Sequence, residues 1–126
     1  MELIRSISGI RGIIGKNFNP STAANYAESF CYIQSSYNTD IKPIVVSRDT
    51  RNKGYEISNA IKEAITSLGL DIYDIGIAPT PVIQHLVTKL NCRGGIMITA
   101  SHNPEEWNGL KFIDPDGCFI DTEKNQ

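Results

Sequence analysis

Short runs rich in isoleucine and valine alternate in this chain with segments whose apolar residues recur at helical spacing. Residues 43–46 and 94–99 are typical of buried strands. Between them lies a stripe of apolar residues three or four positions apart, which Gly69 would close as a left-handed cap: Ile57, Ile61, Ile65 and Leu68. Such alternation is typical of βαβ units. It predicts an α/β fold, specifically a three-layer α/β/α domain with a mostly parallel, mixed sheet.

The remaining segments fit the same architecture. Further strands are predicted at residues 10–14, 70–77 and 109–113. A first helix should begin at Pro20, where the missing N–H of proline costs no hydrogen bond, with one apolar face: Tyr26, Phe30, Ile33 and Tyr37. A shorter helix should follow Pro81, with His85 on its surface and five apolar residues directed inward: Val82, Ile83, Leu86, Val87 and Leu90. Residues 114–117 have the composition of a turn, which would bring residues 118–120 back alongside.

Size, charge and cysteine content exclude several classes of protein. The 126 residues suffice for a single core, and a net charge of −2 provides no basic surface for nucleic acid or an anionic membrane. No apolar run approaches the ~20 residues that a membrane span needs, and no signal peptide follows Met1. The three cysteines lack C-x-x-C spacing, which indicates reduced thiols rather than disulfides or a zinc site. We therefore expect a cytoplasmic protein that binds neither nucleic acid nor membrane.

The polar loop after the strand predicted at 94–99 contains Ser101, His102 and Asn103 and ends at Pro104. In open parallel sheets, ligands bind beyond the carboxyl ends of the strands, so this loop is a natural site. Adjacent serine and histidine side chains rarely face each other, and no G-x-S-x-G motif is present, which argues against a hydrolase. A glycine turn at residues 108–109 could fold Lys111 back over the loop. These groups favour a serine that carries a phosphoryl or acyl group.

The segment SGIRG at residues 8–12 places Arg11 between two glycines. The glycines would let the backbone approach a bound anion, and the guanidinium fork suits phosphate oxygens. The continuation to Lys16 is not a nucleotide P-loop, because its glycine spacing is one residue too long and Asn17 replaces the serine or threonine that would bind magnesium. Three charged residues after the strand predicted at 43–46 should form a structural ion-pair turn rather than contact a substrate: Arg48, Asp49 and Arg51.

Together these segments resemble the α-D-phosphohexomutases, the family of phosphoglucomutases, phosphomannomutases and phosphoglucosamine mutases. Five motifs occur in the family's order: SGIRG at 8–12, VSRDTR at 46–51, APTP at 78–81, TASHNP at 99–104 and NGLKF at 108–112. The most specific is TASHNP followed by NGxK at this spacing. One departure is Ser47, where the family more usually has glycine. The resemblance implies that residues 1–126 are the N-terminal α/β/α domain I, with the later domains outside this chain.

The resemblance also implies a reaction. Ser101 would rest as a phosphoserine and transfer its phosphoryl group between the C1 and C6 positions of a hexose phosphate, through a bound sugar 1,6-bisphosphate. Lys111 would act as acid or base, His102 would orient the loop or assist catalysis, and Arg11 would bind the phosphate. Mg²⁺ would be held by Ser101 through its phosphate, and otherwise by residues of a second domain.

The partners implied are a hexose phosphate and the remaining domains of the same chain, so the isolated 126 residues should be inactive. Glucose, mannose and glucosamine phosphates all stay open as substrates, because the family's sugar-reading loop would lie outside this chain. The opening segment SISGIRG most resembles those of bacterial phosphoglucosamine mutases or phosphomannomutases.

Two other functions stay open. The first is a serine-nucleophile acyl transferase that uses Ser101 and His102, which labelling of Ser101 by a fluorophosphonate probe would favour. The second is a non-catalytic anion-binding domain of flavodoxin-like architecture, which would leave the joint occurrence of SGIRG, TASHNP and NGxK unexplained.

Overall fold

The computed structural model describes residues 4–6, 9–37, 42–51, 53–100 and 103–120. Within these ranges lie six strands and three helices, in the order β1 (Ile4–Ser6), β2 (Gly9–Ile13), α1 (Pro20–Tyr37), β3 (Ile44–Arg48), α2 (Gly54–Ser67), β4 (Ile72–Ile77), α3 (Thr80–Lys89), β5 (Gly94–Ile98) and β6 (Trp107–Ile113). None of these helices is long and apolar enough to cross a membrane. The sequence predicted every one of these elements except β1.

The strands form one sheet in the order β1-β2-β6-β5-β3-β4. Strand β3 is parallel to both β4 and β5, whereas β6 is antiparallel to β5 and β2, and β2 is antiparallel to β1. The connection from β5 to β6 is residues 99–106, which is shorter than the dozen or more residues that a parallel crossover needs. The predicted α/β class and mixed sheet are therefore confirmed. Among the described strands the parallel pairs are confined to the core around β3, and the other three pairs are antiparallel.

Helices cover both faces of the sheet, which confirms the three layers. Alternate residues of a strand point to opposite faces. Ile44, Val46, Ile96 and Ile98 accordingly belong to the core cluster under α1 and α2, whereas Val45 and Met97 pack with Ile83 and Val87 of α3. Strands β3 and β5 are thus buried on both faces, as expected of strands in the centre of a sheet.

The predicted apolar stripe of α2 is confirmed at Ile57, Ile61 and Ile65, which are fully buried. Leu68 is the C-cap residue and is partly exposed. Gly69 follows with φ +83°, the left-handed conformation predicted for it.

The predicted face of α1 is only partly correct. The helix begins at Pro20 as predicted, but its buried residues are Ala23, Ala27, Phe30, Cys31 and Gln34. Tyr26 and Ile33 are only half-buried, and the side chain of Tyr37 lies outside the described residues. Small alanines allow α1 to pack against α2, so the contact stripe runs through them rather than through the largest apolar residues.

The predicted inward face of α3 is too wide. Ile83 and Val87 are fully buried, but Val82 and Leu90 are 41% and 42% exposed. Helix α3 is the only described helix on its side of the sheet, so only one narrow stripe is covered. His85 is exposed on the helix surface, as predicted.

The three cysteines are free thiols, as predicted from their spacing. Cys31 and Cys92 are buried, and Cys118 is exposed. Burial raises the pKa of Cys31 to about 11, so this thiol is uncharged near neutral pH. The predicted turn at 114–117 is also present, because the Asp114 amide donates to the Cys118 carbonyl at 2.8 Å and Ile113 bridges to Phe119.

Candidate active site

The carboxyl ends of three parallel strands surround an open groove of about 380 Å³. Its walls come from the segments after β3, β4 and β5, and include part of the APTP motif: Asp49, Thr50, Ile77, Ala78, Pro79, Thr80, Met97 and Thr99. This is the edge at which open parallel sheets bind ligands. The sequence predicted a candidate site at this same edge.

Ser101 and His102 lie outside the described residues, so their predicted roles stay predictions. Their neighbours are described. Ala100 is buried, and its carbonyl accepts a hydrogen bond from the Asn103 amide at 3.1 Å. The residues that flank the 101–102 pair therefore lie within hydrogen-bonding distance of each other, directly after β5.

Arg11 and Lys111 lie on adjacent strands and on the same face of the sheet. In the register of β2 and β6, Arg11 is opposite Gly109 and Lys111 is opposite Gly9, so the two cations are diagonal neighbours. The next residue across the sheet from Gly109 is Thr99, whose amide donates to the Gly109 carbonyl at 2.9 Å. Two cations predicted independently from separate motifs thus meet beside the strand that leads to residues 101–102.

Two features of the environment lower the pKa of Lys111: its burial and, to a smaller extent, the positive charge of Arg11. A third feature favours the charged form, because the ammonium lies over the ring of Phe119, 5.4 Å from its centroid, a distance suited to a cation–π contact. An anion placed between Arg11 and Lys111 would relieve the repulsion between their charges.

Gly9 and Gly109 of the two motifs lie in strands. Residues 108–109 therefore do not form the predicted turn, whereas the approach of the backbone at Gly9 to an anion stays a prediction. A Cβ on Gly9 would overlap the carbonyl oxygen of Leu110, and one on Gly109 would overlap that of Ile10. Glycine is required there because β2 and β6 approach too closely for a side chain. The same feature leaves no side chain directly opposite Arg11 or Lys111.

Lys111 reaches the site through strand register rather than through a turn. Asn108 and Gly109 both belong to β6, and Asn108 is fully buried. Its Oδ1 accepts a hydrogen bond from the Gly109 amide at 2.9 Å. The prediction that Lys111 lies near the loop is therefore consistent with the fold, but the predicted turn is wrong.

The predicted ion-pair turn after β3 is confirmed for Asp49 and Arg51, whose Oδ2 and Nε atoms are 3.3 Å apart. Asp49 also accepts a hydrogen bond from Thr99 Oγ1. Arg48 contacts the main chain of Asp49 rather than its carboxylate: its Nη1 donates to the Asp49 carbonyl at 3.4 Å, and its guanidinium lies 6.0 Å from the ring centroid of Tyr55. Sequence reasoning missed the link to Thr99, although a hydroxyl and a carboxylate at the ends of neighbouring parallel strands could have suggested it.

No group of three or more histidine, cysteine, aspartate or glutamate side chains in the described ranges is arranged to hold a metal ion. The Asp49 carboxylate already accepts hydrogen bonds from Thr99 Oγ1 and from the Arg51 amide. The described side chains alone therefore do not form the oxygen-rich site that magnesium prefers.

Comparison with known proteins identifies the family. The family model described as phosphoglucomutase/phosphomannomutase, alpha/beta/alpha domain I, matches residues 3–126. A phosphoglucosamine mutase of Nautilia profundicola is 42% identical over 117 residues, which are 91% of this chain and 26% of that protein. A phosphoglucomutase/phosphomannomutase of Thermococcus kodakarensis is 38% identical over 116 residues, which are 92% of this chain and 25% of that protein.

Solved structures agree in fold. A Thermus thermophilus protein described as a phosphomannomutase superposes with a TM-score of 0.89 at 31% identity, over 98% of this chain and 28% of that one. The chain spans about a quarter of the length of the curated relatives it matches. It belongs to the phosphoglucomutase/phosphomannomutase family, and the part of the family that it matches is the α/β/α domain I.

Proposed function

We propose that this chain is the phosphoserine-bearing domain of a phosphohexomutase, an isomerase that moves a phosphoryl group between the C1 and C6 positions of a hexose phosphate. Ser101 is the phosphoryl carrier, and Arg11 and Lys111 are the groups that face it. The observation that carries the proposal is the convergence of these two cations, from motifs 100 residues apart in the chain, beside the strand that leads to Ser101.

Phosphoryl transfer depends chiefly on charge neutralisation and positioning, because the protein has little covalent chemistry to perform. A phosphoserine brings close to two negative charges at neutral pH. Arg11 can bind phosphate oxygens through its planar fork of donors. Its position on β2 fixes the backbone from which that fork extends, and a charge placed beforehand near the transferred group lowers the cost of the reaction.

In the transfer itself, a sugar hydroxyl oxygen forms a bond to the phosphorus atom while the bond between phosphorus and Ser101 Oγ breaks. The hydroxyl loses its proton, and the serine oxygen takes one up. The sugar bisphosphate then turns over, and its other phosphoryl group returns to Ser101 by the reverse exchange. The remaining product is the isomeric hexose monophosphate.

Lys111 is suited to move the proton in this exchange. A group that donates and accepts protons works best when its pKa lies near the operating pH. Burial and the charge of Arg11 lower the pKa of Lys111 towards that range. His102, which adjoins the carrier in sequence, would orient the loop or assist the same proton transfer.

Magnesium, when bound, would neutralise charge on the transferred phosphoryl group. This chain would contribute the Ser101 phosphate oxygen, and the other ligands would belong to later domains of the same protein. Those domains would also supply the walls of the sugar site. The isolated 126 residues should therefore fold without showing mutase activity.

The proposed substrate class is based on the names of the relatives. Relatives are named phosphoglucosamine mutase, phosphoglucosamine/phosphogalactosamine mutase and phosphoglucomutase/phosphomannomutase. A hexose or hexosamine phosphate is their shared chemistry. Glucose, mannose and glucosamine phosphates should be tested side by side with a sugar 1,6-bisphosphate as activator.

The decisive experiment is to map the phosphate. Full-length protein purified without phosphatase should contain a fraction heavier by about 80 Da, and peptide mapping should place that mass on Ser101. Ser101→Ala should lose both the added mass and several orders of magnitude in turnover, with the fold intact. A phosphate on another serine would contradict the assignment, and covalent labelling of Ser101 by a fluorophosphonate in place of phosphate would favour the acyl transferase.

A further inference from the structure

Arg51 binds the main chain that follows residues 101–102. Its Nη1 donates hydrogen bonds to the carbonyl oxygens of Asn103 at 2.8 Å and Pro104 at 2.9 Å. A longer contact, 3.4 Å, reaches the carbonyl of Trp107. The Arg51 side chain is only 11% exposed, so its guanidinium faces the carbonyls of this loop at a largely buried position.

Asp49 binds the main chain that precedes the same two residues. Its Oδ2 accepts a hydrogen bond from Thr99 Oγ1 at 2.6 Å, and its amide donates to the Ile98 carbonyl at 3.1 Å. Asp49 also holds Arg51, through the ion pair at 3.3 Å and through a hydrogen bond from the Arg51 amide to Asp49 Oδ1 at 3.0 Å. One continuous network of hydrogen bonds and an ion pair therefore fixes the main chain on both sides of residues 101–102.

From this juxtaposition we infer that Asp49, Arg51 and Thr99 are positioning residues for Ser101, an inference that rests on the proposed function. They act through the main chain and not by touching the sugar. Strand register fixes the backbone of Arg11 and Lys111, and the network fixes the described residues on both sides of residues 101–102. The phosphoryl group on Ser101 is thereby held towards the two cations.

The charges and shapes of Arg51 and Asp49 suit them to hold the main chain beside residues 101–102. The planar donor fork of arginine can bind two carbonyl oxygens and a carboxylate at once, which a lysine ammonium cannot do with the same geometry. Asp49 compensates the buried positive charge of Arg51 and leaves the guanidinium oriented towards the loop. Loss of either contact would let the loop shift without removing any group that contacts phosphate.

The test uses two variants of the full-length protein, Arg51→Gln and Thr99→Val, with two matched controls. Thr99→Val removes the hydroxyl while keeping the shape of the side chain, and Thr99→Ser restores it. Lys62→Gln breaks an ion pair of the same type, Lys62–Asp74, outside the site. The measurements are kcat, KM for the hexose phosphate, the melting temperature, and the rate at which dephosphorylated Ser101 gains phosphate from a sugar 1,6-bisphosphate.

We expect Arg51→Gln and Thr99→Val to lower kcat and the rate of Ser101 phosphorylation by up to about 100-fold, the effect of misplacing a reacting group by about 1 Å, while KM stays close to that of the wild type. Thr99→Ser should recover most of the loss, and Lys62→Gln should behave as the wild type. Unchanged kcat in both variants would overturn the inference, as would losses fully explained by a smaller folded fraction. A wild-type protein with no phosphate on Ser101 would instead overturn the proposed function, and this inference with it.

Discussion

The two halves of the sheet contribute to the site in different ways. In the antiparallel half, β6, β2 and β1, the candidate groups Arg11 and Lys111 lie on the strands themselves. In the parallel half, β4, β3 and β5, the contributing groups follow the strands, as Asp49 does after β3 and Thr99 after β5. Strand-borne groups take their positions from the hydrogen-bond register. Asp49 and Thr99 each keep a main-chain hydrogen bond to a neighbouring strand and add a hydrogen bond between their side chains.

Glycines allow close backbone approach at the antiparallel pairs. Gly9 and Gly109, in β2 and β6, allow two backbones to approach more closely than any side chain would permit. Gly94 of β5 is also tight against its antiparallel neighbour β6, because a Cβ there would lie 2.7 Å from the Ile113 carbonyl oxygen. By contrast, Gly54 opens helix α2, and the nearest atom to a Cβ there would be 3.5 Å away, an ordinary contact distance. The strands that hold Arg11 and Lys111 therefore tolerate substitution of their glycines poorly.

Among the changes that compare the two halves, the largest expected effect is that of Lys111→Met on turnover. If Lys111 moves the proton, its loss should lower kcat by about 10²- to 10⁴-fold in the full-length protein. Because burial and Arg11 lower the pKa of Lys111, the wild-type kcat profile should show a basic limb below the ordinary lysine range, and the variant should lack it.

The matched control is Lys62→Met, on α2 in the parallel half, which should keep wild-type activity. A Lys111→Met protein that remains fully active across the pH range would remove the catalytic role assigned to the antiparallel half.

The next effect concerns stability. Gly109→Ala should destabilise the chain by about 1–3 kcal/mol or more, because the new Cβ would overlap Ile10 O and crowd Arg11 Cα at 2.7 Å. Gly54→Ala should leave stability unchanged or raise it by less than about 1 kcal/mol, as alanine favours helix over glycine. Urea titration of the 126-residue chain, followed by the fluorescence of Trp107, its single tryptophan, measures both. Equal stability of the two variants would refute the claim that close approach of β2 and β6 makes Gly109 intolerant of a side chain.

The smallest expected effect is the loss of an ion pair between α2 and β4, at the outer edge of the parallel half. Lys62 Nζ lies 2.7 Å from Asp74 Oδ2, with both side chains partly exposed. The hydrogen bond from Lys62 lowers the pKa of Asp74 below its usual value of 3.8. The resulting stabilisation is therefore present above pH 3.8 and is lost as the pH falls through the lowered pKa of Asp74.

Asp74→Asn should consequently cost at most about 0.2–1 kcal/mol at neutral pH, the range for solvent-screened pairs. Urea midpoints of wild type and variant should converge in strongly acidic solution. A difference that stays constant from neutral to acidic pH would show that the ion pair is not its source.

Local patterns predicted much of the fold. The α2 stripe at Ile57, Ile61 and Ile65 was predicted correctly because helical periodicity depends only on neighbouring residues. The face of α1 was predicted less well, since the burial of Ala23 and Ala27 depends on how closely α2 approaches. The candidate residues Arg11 and Lys111 were recognised from their motifs, whereas Thr99 and Arg51 were not recognised as partners of one loop.

By itself, the sequence determined the α/β class, the positions of the helices and inner strands, and the motifs that mark the candidate site. Those features depend on side-chain periodicity and on short stretches of neighbouring residues. Only the tertiary structure decided that β6 runs antiparallel beside β2, which brings Arg11 and Lys111 together, and that Arg51 reaches the carbonyl of Asn103, 52 residues further along the chain. Contacts of this kind depend on strand register and loop path, which are settled by packing of the whole sheet and not by any local pattern.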